Sequence, residues 1–315
     1  MEFGLVMPQH GAFANRASLE RMARAGEDMG FASIWAIDHI IIPRPFVERF
    51  SDRVYGLFST LGFLAGITDR VKLGTTVIVL PYRHPVTLAK EMASIDDLSG
   101  GRTIYGVAFG WIREEYEALG VPFARRGARA DEMLRIMDHL WSEGPNGFRG
   151  EFYEFGDFAF DPPPVQKPRP PIWIGGNNER ALERVVRYGD GWHPITSARR
   201  PGSVQWTVDD LRRRLQLLDR MAEEAGRDPA SIARSLHATL AFDIDAADFL
   251  GDGYAFVGSR DDICRKLDMA RDMGLEHITL NPWYTIPGRI HEPTVDTAMA
   301  TVERFVEGVM GGYAD

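Results

Sequence analysis

Short β-rich runs alternate with amphipathic helical runs along the chain, and that rhythm constrains the fold more than any single motif. Strand patterns are read at residues 3–7, 33–37, 71–79, 103–109 and 171–174, briefly around Trp192, and at 236–242 and 277–280. Helical patterns lie between and after them, at residues 18–29, 86–98, 112–119, 128–141, 181–187, 208–225, 261–273 and 295–309. In the first helix Leu19, Met22, Ala23, Ala25 and Gly26 fall near one face, and Gly30 ends it. Strands alternating with helices predict parallel βα units and an α/β fold. Eight such units in about 250 residues plus insertions predict a (β/α)8 barrel. An open doubly wound sheet is the competing arrangement, but no Gly-x-Gly-x-x-Gly follows the first strand.

The rhythm breaks twice. Residues 142–171 carry the turn Gly144-Pro145-Asn146-Gly147, an alternation from Phe148 to Phe160, and Pro162-Pro163-Pro164. They read as a hairpin-like insertion after strand four. Residues 196–206, with Arg199-Arg200-Pro201-Gly202, read as an insertion after strand six. No internal repeat is present, so one domain over residues 1–315 is expected. A chain of 315 residues buries enough surface to need no staple. Its single cysteine, Cys264, can form no internal disulfide and offers no metal cluster. The net charge of -9 argues against a grip on nucleic acid. The opening MEFGLVMPQHG has no basic stretch and no long apolar run, so no signal peptide is expected. No run approaches 18 apolar residues, so no membrane span is expected and the cytoplasm is the expected location.

In a barrel of this kind chemistry sits at the carboxyl ends of the strands. Those ends carry Gln9-His10, Asp38-His39, Thr75-Thr76-Val77, Phe109-Gly110-Trp111, Gly175-Gly176-Asn177-Asn178, His193 and Asn281-Pro282-Trp283. A rim rich in imidazole and indole suits a flat aromatic ligand. Asp38-His39 reads as one orienting group and one proton carrier, or as a cap beside a satisfied histidine. Gly175-Gly176-Asn177-Asn178 reads as a phosphate cradle at a helix N-terminus, or as a tight turn with asparagine as N-cap. Leu98-Ser99-Gly100-Gly101-Arg102 looks like an ATPase signature, but no phosphate-binding loop accompanies it, and it reads as a helix-to-strand turn. Glu114, Glu115 and Glu117 share a short helical pattern with Ile112, Tyr116 and Leu119, and read as a solvated face. Asp96-Asp97 and Glu114-Glu115 are adjacent acids, which diverge by about 100° on a helix and seldom face one bond. Histidines are scattered without metal-ligand spacing, no Gly-x-Ser-x-Gly occurs, and Arg212-Arg213-Arg214 reads as a solvated stripe.

Several ordered stretches together resemble the bacterial luciferase-like flavin and deazaflavin oxidoreductases, above all the branch that uses coenzyme F420. They are Glu27-Asp28-Met29-Gly30-Phe31 through Ile34-Trp35-Ala36-Ile37-Asp38-His39, and Leu73-Gly74-Thr75-Thr76-Val77 through Pro81-Tyr82-Arg83-His84-Pro85. Leu98-Ser99-Gly100-Gly101-Arg102 through Gly110-Trp111-Ile112-Arg113-Glu114-Glu115 follows. Pro170-Pro171-Ile172-Trp173-Ile174-Gly175-Gly176 and Tyr188-Gly189-Asp190-Gly191-Trp192 complete the set. The resemblance is strong over residues 1–195 and loose beyond. It implies a barrel holding an isoalloxazine-type ring at its carboxyl face, with Asp38 and His39 lining the ring. It implies a bulge with a non-prolyl cis peptide at Thr76-Val77, Phe109 and Gly110 along the ring and ribityl region, and Gly175, Gly176 and Asn177 on the phosphate. Relatives often carry a small or hydroxylated residue where this chain has Phe109. The last third, which shapes the substrate mouth, matches poorly and transfers no substrate.

The activity so implied is hydride transfer between F420 and a small organic substrate, with Asp38 and His39 catalytic and His39 the general acid or base. Trp111, His193 and Trp283 are the expected substrate pocket, and Arg199 and Arg200 are expected to attract the cofactor's acidic tail or to be a solvated loop. The alternative is an FMN-dependent monooxygenase using dioxygen and a partner reductase. A non-catalytic flavin carrier and a glycosidase barrel are the more distant readings. A homodimer is the family expectation, and no metal, nucleic-acid or membrane partner is expected.

Overall fold

The computed structural model describes residues 1–142, 146–195, 206–244, 255–283 and 294–314. The chain forms two compact units, one of Met1–Pro8, Asn15–Trp35 and Trp173–Asp315, the other of Gln9–Ala14 and Ala36–Ile172.

The first unit is a parallel sheet with helices on it. Its strands are β1 (Glu2–Val6), β2 (Ser33–Ala36, up to Trp35), β7 (Ile172–Ile174, from Trp173), β8 (Gly191–Trp192), β9 (Ala233–Phe242), β10 (Phe256–Gly258) and β11 (His277–Asn281). They pair in the order β7-β8-β9-β11-β1-β2, with β10 on the end of β9. The register is fixed by pairs such as Phe3 with Ile278, Leu5 with Ile34 and Trp192 with Arg234. Every residue of β2 and the last four of β1 are buried, as expected of parallel strands covered on both faces. The helices are α1 (Arg16–Asp28), α7 (Glu179–Tyr188), α8 (Val208–Glu224), α9 (Arg260–Asp272) and α10 (Val295–Gly308). Asn15 caps α1 by accepting from Ser18 N, and Thr207, Ser259 and Thr294 open α8, α9 and α10 as reciprocal capping boxes. Such caps are worth about 1 kcal/mol each. The apolar face of α10 closes on β1, where Phe305 meets Phe3 edge-on at 5.1 Å.

The second unit contains β3 (Lys72–Val79) and β4 (Thr103–Ala108), a parallel pair, with α2 (Val47–Phe50), α3 (Leu57–Ile67), α4 (Pro85–Leu98), α5 (Arg113–Ala118) and α6 (Arg126–Trp141). The pairing slips between Thr75 and Ile78, and Thr76–Val77 within that slip is a non-prolyl cis peptide, as the resemblance implied. Gly106 lies opposite. A Cβ there would stand 2.1 Å from the Thr75 carbonyl oxygen, so only glycine permits this approach. The turn at Leu98–Arg102 is the helix-to-strand connection expected, with Gly100 and Gly101 at φ 68° and 80°.

The insertion at 142–171 contains the antiparallel hairpin β5 (Phe148–Arg149) and β6 (Glu154–Phe155). It is held down by the buried carboxylate of Glu132, which accepts from Glu151 N, Phe152 N and Tyr153 N at 2.7 to 2.9 Å. Gly144 and Pro145 of its predicted turn lie outside the described residues, as does the second insertion apart from Trp206. The strands β1, β2, β3, β4, β7, β8, β9 and β11, alternating with helices, are those of a (β/α)8 barrel.

Three elements go beyond the sequence reading, the first being the four-residue helix α2. Helix α3 was not anticipated because LFSTLGFLAGI is apolar on nearly every side and shows no polar stripe. Strand β10 is only three residues long, too short to show a period. No helix of the described residues is long and apolar enough to cross a membrane.

Candidate functional site

In the second unit, Asp38 and His39 come just past the end of β2, after Ile37, and each is gripped by its own partner. Asp38 is buried and accepts from both terminal nitrogens of Arg83, at 2.7 and 2.8 Å, and from Val79 N at 3.0 Å. The paired guanidinium also lies 5.1 Å over the Phe58 ring. Both carboxylate oxygens are thus committed to a planar, charge-assisted fork. His39 places Nδ1 3.2 Å from each carboxylate oxygen of Glu115. Tyr82 donates its hydroxyl to Glu115 Oε2 at 2.7 Å. Burial, and then this bond to Glu115, push the Tyr82 hydroxyl far above its ordinary range, so it remains a donor. Tyr82 and Arg83 are consecutive residues at the end of β3, so one short turn supports both neighbouring site residues.

Glu115 corrects an expectation. It was read as part of a solvated face, yet its relative exposure is 0%. The signal was present: on a helix, position 115 falls three after Ile112 and four before Leu119, which puts it on the apolar face beside Tyr116. Asp96 is likewise buried, and it accepts from Gln166 N, Gln166 Nε2 and Thr103 Oγ1 in a structural role.

Around this pair, Phe50 packs its ring 4.8 Å from His39, and Trp111 meets Phe46 edge-on at 5.4 Å. Gly110 has φ 61°, and a Cβ there would meet Val79 Cγ1 at 2.8 Å and the Tyr116 ring at 2.9 Å. The Phe109 carbonyl accepts from Tyr116 OH at 2.6 Å. Thr76 is buried and Val77 half-buried. His10, on the segment after β1, has a buried Nδ1 without a hydrogen-bond partner. Burial, and then the neighbouring His39, lower its pKa to about 4, so it is neutral near pH 7.

In the first unit, Gly175 is buried at the end of β7, and Gly176 is exposed with φ 117°. Asn178 is the N-cap of α7, accepting from Ala181 N, and Asn177 Nδ2 donates to Ile195 O at 3.1 Å. The exposed glycine backbone at a helix start keeps the anion reading physically sound. Trp283 is buried with its indole N–H on Val6 O, and its backbone N–H on Asn281 Oδ1 at 3.0 Å. His193, expected in a pocket wall, has no exposed surface. Its ring stacks on Trp35 at 4.8 Å, and Nδ1 lies 2.7 Å from Ser235 Oγ. Burial, then His237 and His277, hold its pKa well below the usual value. Arg199 and Arg200 lie outside the described residues.

The second unit therefore holds Asp38 on Arg83 and His39 on Glu115, with Phe109, Gly110 and Trp111 in the same unit. The luciferase-like monooxygenase family model matches residues 1–273. The chain belongs to that family. Among luciferase-like relatives, the FMNH(2)-dependent dimethylsulfone monooxygenase of Pseudomonas putida is 32% identical over 152 residues, covering 47% of this chain and 41% of that protein. The monooxygenase RslO1 from Streptomyces bottropensis shares the luciferase-like barrel with a TM-score of 0.80 over 100% of both chains at 21% identity. An F420-dependent secondary alcohol dehydrogenase, solved with an F420-acetone adduct, superposes with a TM-score of 0.77 at 15% identity over 98% of both chains. The protein is thus an enzyme of the luciferase-like oxidoreductase and monooxygenase group.

Proposed function

We propose that the chain transfers a hydride between the deazaflavin coenzyme F420 and a small organic substrate, with His39 as proton carrier. The observation that carries this reading is the contact of His39 Nδ1 with the buried carboxylate of Glu115 at 3.2 Å. Interconverting an alcohol and a carbonyl moves a hydride and a proton together. The bound deazaflavin supplies or accepts the hydride at its central ring carbon. A separate group must then carry the proton, and an imidazole held by a carboxylate can take one up and remain compensated. Asp38, with both oxygens on Arg83, serves as the anchor of the pair rather than as a second acid.

The residues present fit such a cofactor. Gly110 and Gly176 have positive φ, and side chains there would collide with Val79 and Tyr116 in one case and stand 3.0 Å from Ala181 Cβ in the other. Asp38, Thr76, Val77, Phe109 and Gly110 are assigned to the ring. Gly175, Gly176 and Asn177 are assigned to the phosphate through backbone N–H groups. Trp111, His193 and Trp283 are assigned to the substrate. Residues 1–315 are taken as one luciferase-like domain, acting as a homodimer in the cytoplasm. The fold shared with an F420-dependent secondary alcohol dehydrogenase supports this choice of cofactor.

A second reading keeps these residues and uses FMN, with dioxygen as co-substrate and a partner reductase supplying reduced flavin. The 32% identity to an FMNH(2)-dependent monooxygenase favours it. Fluorescence titration of the purified apoprotein separates the two. Tight F420 binding with indifference to FMN sustains the first reading, and the reverse selects the second. Binding of neither ends both.

A further inference from the structure

The hydrogen-bonding of Glu115 carries an inference that rests on the reading above, in which His39 moves the proton. We infer that Glu115 is the positioning residue of that reaction, holding His39 in its Nδ1–H tautomer and leaving the Nε2 lone pair for the substrate.

The geometry leads to this in three steps. An ionised carboxylate can only accept, so a neutral imidazole that bonds to Glu115 through Nδ1 must carry its hydrogen there. Both carboxylate oxygens lie 3.2 Å from Nδ1, so rotation of the carboxyl group does not release the ring. The hydroxyl of Tyr82 enters the same carboxylate at 2.7 Å, and its raised pKa keeps it a donor. Glu115 thus receives two donors and has no contact with water to exchange them for.

Among the described residues, Glu115 is the hydrogen-bond partner of His39 on that side. Asp38, its neighbour in the chain, is occupied by Arg83 and Val79 N. His10, the titratable group facing it from the end of β1, is neutral near pH 7 and adds no competing charge. Phe50 covers the ring at 4.8 Å. Nδ1 is therefore saturated, and Nε2 is the nitrogen left for chemistry.

The proposed step is a proton transfer alone. The substrate O–H bond breaks, its electron pair stays on the oxygen, and a new N–H bond forms at Nε2. The resulting imidazolium keeps its Nδ1–H on Glu115, so the new positive charge forms against a fixed carboxylate. In the other tautomer Nε2 carries a hydrogen and has no lone pair with which to begin. The reverse step returns the Nε2 proton to a carbonyl oxygen as it becomes an alkoxide.

The test uses the full-length, cofactor-free chain labelled with 15N, and correlates the ring nitrogens of His39 with its carbon-bound protons. His39→Gln identifies the signals. The expected wild-type spectrum shows a protonated Nδ1 and a pyridine-like Nε2. In Glu115→Gln the amide both donates and accepts, so the ring samples both tautomers and the two nitrogen shifts converge. On a panel of small alcohols and ketones with F420, Glu115→Gln is expected to lower kcat on the order of 10²-fold, with the cofactor Kd unchanged. An Nε2–H ring in the wild type, an unmoved His39 in Glu115→Gln, or an unchanged kcat overturns the inference. Should Glu115→Gln fail to fold, the wild-type tautomer decides alone. If the wild type binds and turns over neither cofactor, the functional reading falls while the spectrum still judges Glu115.

Discussion

Half-buried His39 in the second unit and the buried histidines of the first are satisfied by opposite means. In the second unit the partners are ions: Asp38 with Arg83, and Glu115 with His39. In the first unit they are hydroxyls and rings. His193 stacks within 4.8 Å of Trp35, and Trp173 lies 5.3 Å from His277. Ser235 donates its only hydroxyl hydrogen to Trp192 O, so it must accept from His193 Nδ1. Ser33 accepts from the Trp35 indole, which leaves its own hydrogen for His277 Nε2 at 2.8 Å. An imidazole on a carboxylate can take a proton and remain compensated, whereas one among indoles and hydroxyls cannot. The carboxylate-held arrangement suits the proton transfer proposed for His39, and the other suits staying neutral. Burial alone therefore says little about the role of a histidine; the charge of its partner says more.

The largest expected effect tests the proton-carrying side. His39→Ala should reduce turnover by roughly 10² to 10⁴-fold while leaving cofactor affinity intact. Fluorescence titration alongside steady-state kinetics reads the two separately. Matched losses in both would make His39 a packing residue and erase the contrast. The next largest effect concerns stability. Asp38→Ala leaves the half-buried Arg83 without its partner, and breaking such a pair costs about 3–5 kcal/mol. Urea unfolding followed by circular dichroism should show that loss. A change below 1 kcal/mol would mean that water or Glu91, 4.0 Å from Arg83 Nε, replaces Asp38 without penalty.

These partnerships also mark what was legible in the sequence. The barrel order follows from alternating patterns, because each helix hides one stripe and each parallel strand hides both faces. Asp38, His39, Thr76, Val77 and Gly176 were singled out because strand ends are where a barrel places its chemistry. Tyr82, Arg83 and Glu115 lay inside the family stretches but carried no role until their partners were known. Glu115 meets His39 across 76 positions of sequence and Tyr82 across 33. No local period encodes such a meeting. What local reading could have caught is a lone acid on the apolar face of α5. For His193 the strand-end position fixed where a backbone stops but not where the ring points: it turns inward onto Trp35.

Acid should expose the neutral side of the comparison. Burial lowers the His237 pKa to about 4, and in the second unit burial, and then the neighbouring His39, do the same for His10. Between pH 6.5 and 4 the unfolded chain binds protons that the folded chain refuses. Stability is therefore full above about pH 6.5 and falls as pH drops, by about 1.4 kcal/mol per pH unit for each such histidine. Urea midpoints at pH 7, 6 and 5 should decline in that order, and a flat series would mean these rings accept protons in place.

The smallest expected effect is the sharpest probe of the neutral stack. His193→Phe keeps a flat ring against Trp35 and removes one hydrogen bond to Ser235. Ser235 still donates to Trp192 O. The net cost should be near 1 kcal/mol at pH 7, the worth of one neutral hydrogen bond. Because His193 is among the groups held below their usual pKa, the variant should also lose part of the acid sensitivity of the parent. Measured against Asp38→Ala in the same urea series, a ratio of about one to three or more is expected. A loss in His193→Phe as large as that in Asp38→Ala would show that this stack, too, depends on compensating charge, and the division between the two units would have to be abandoned.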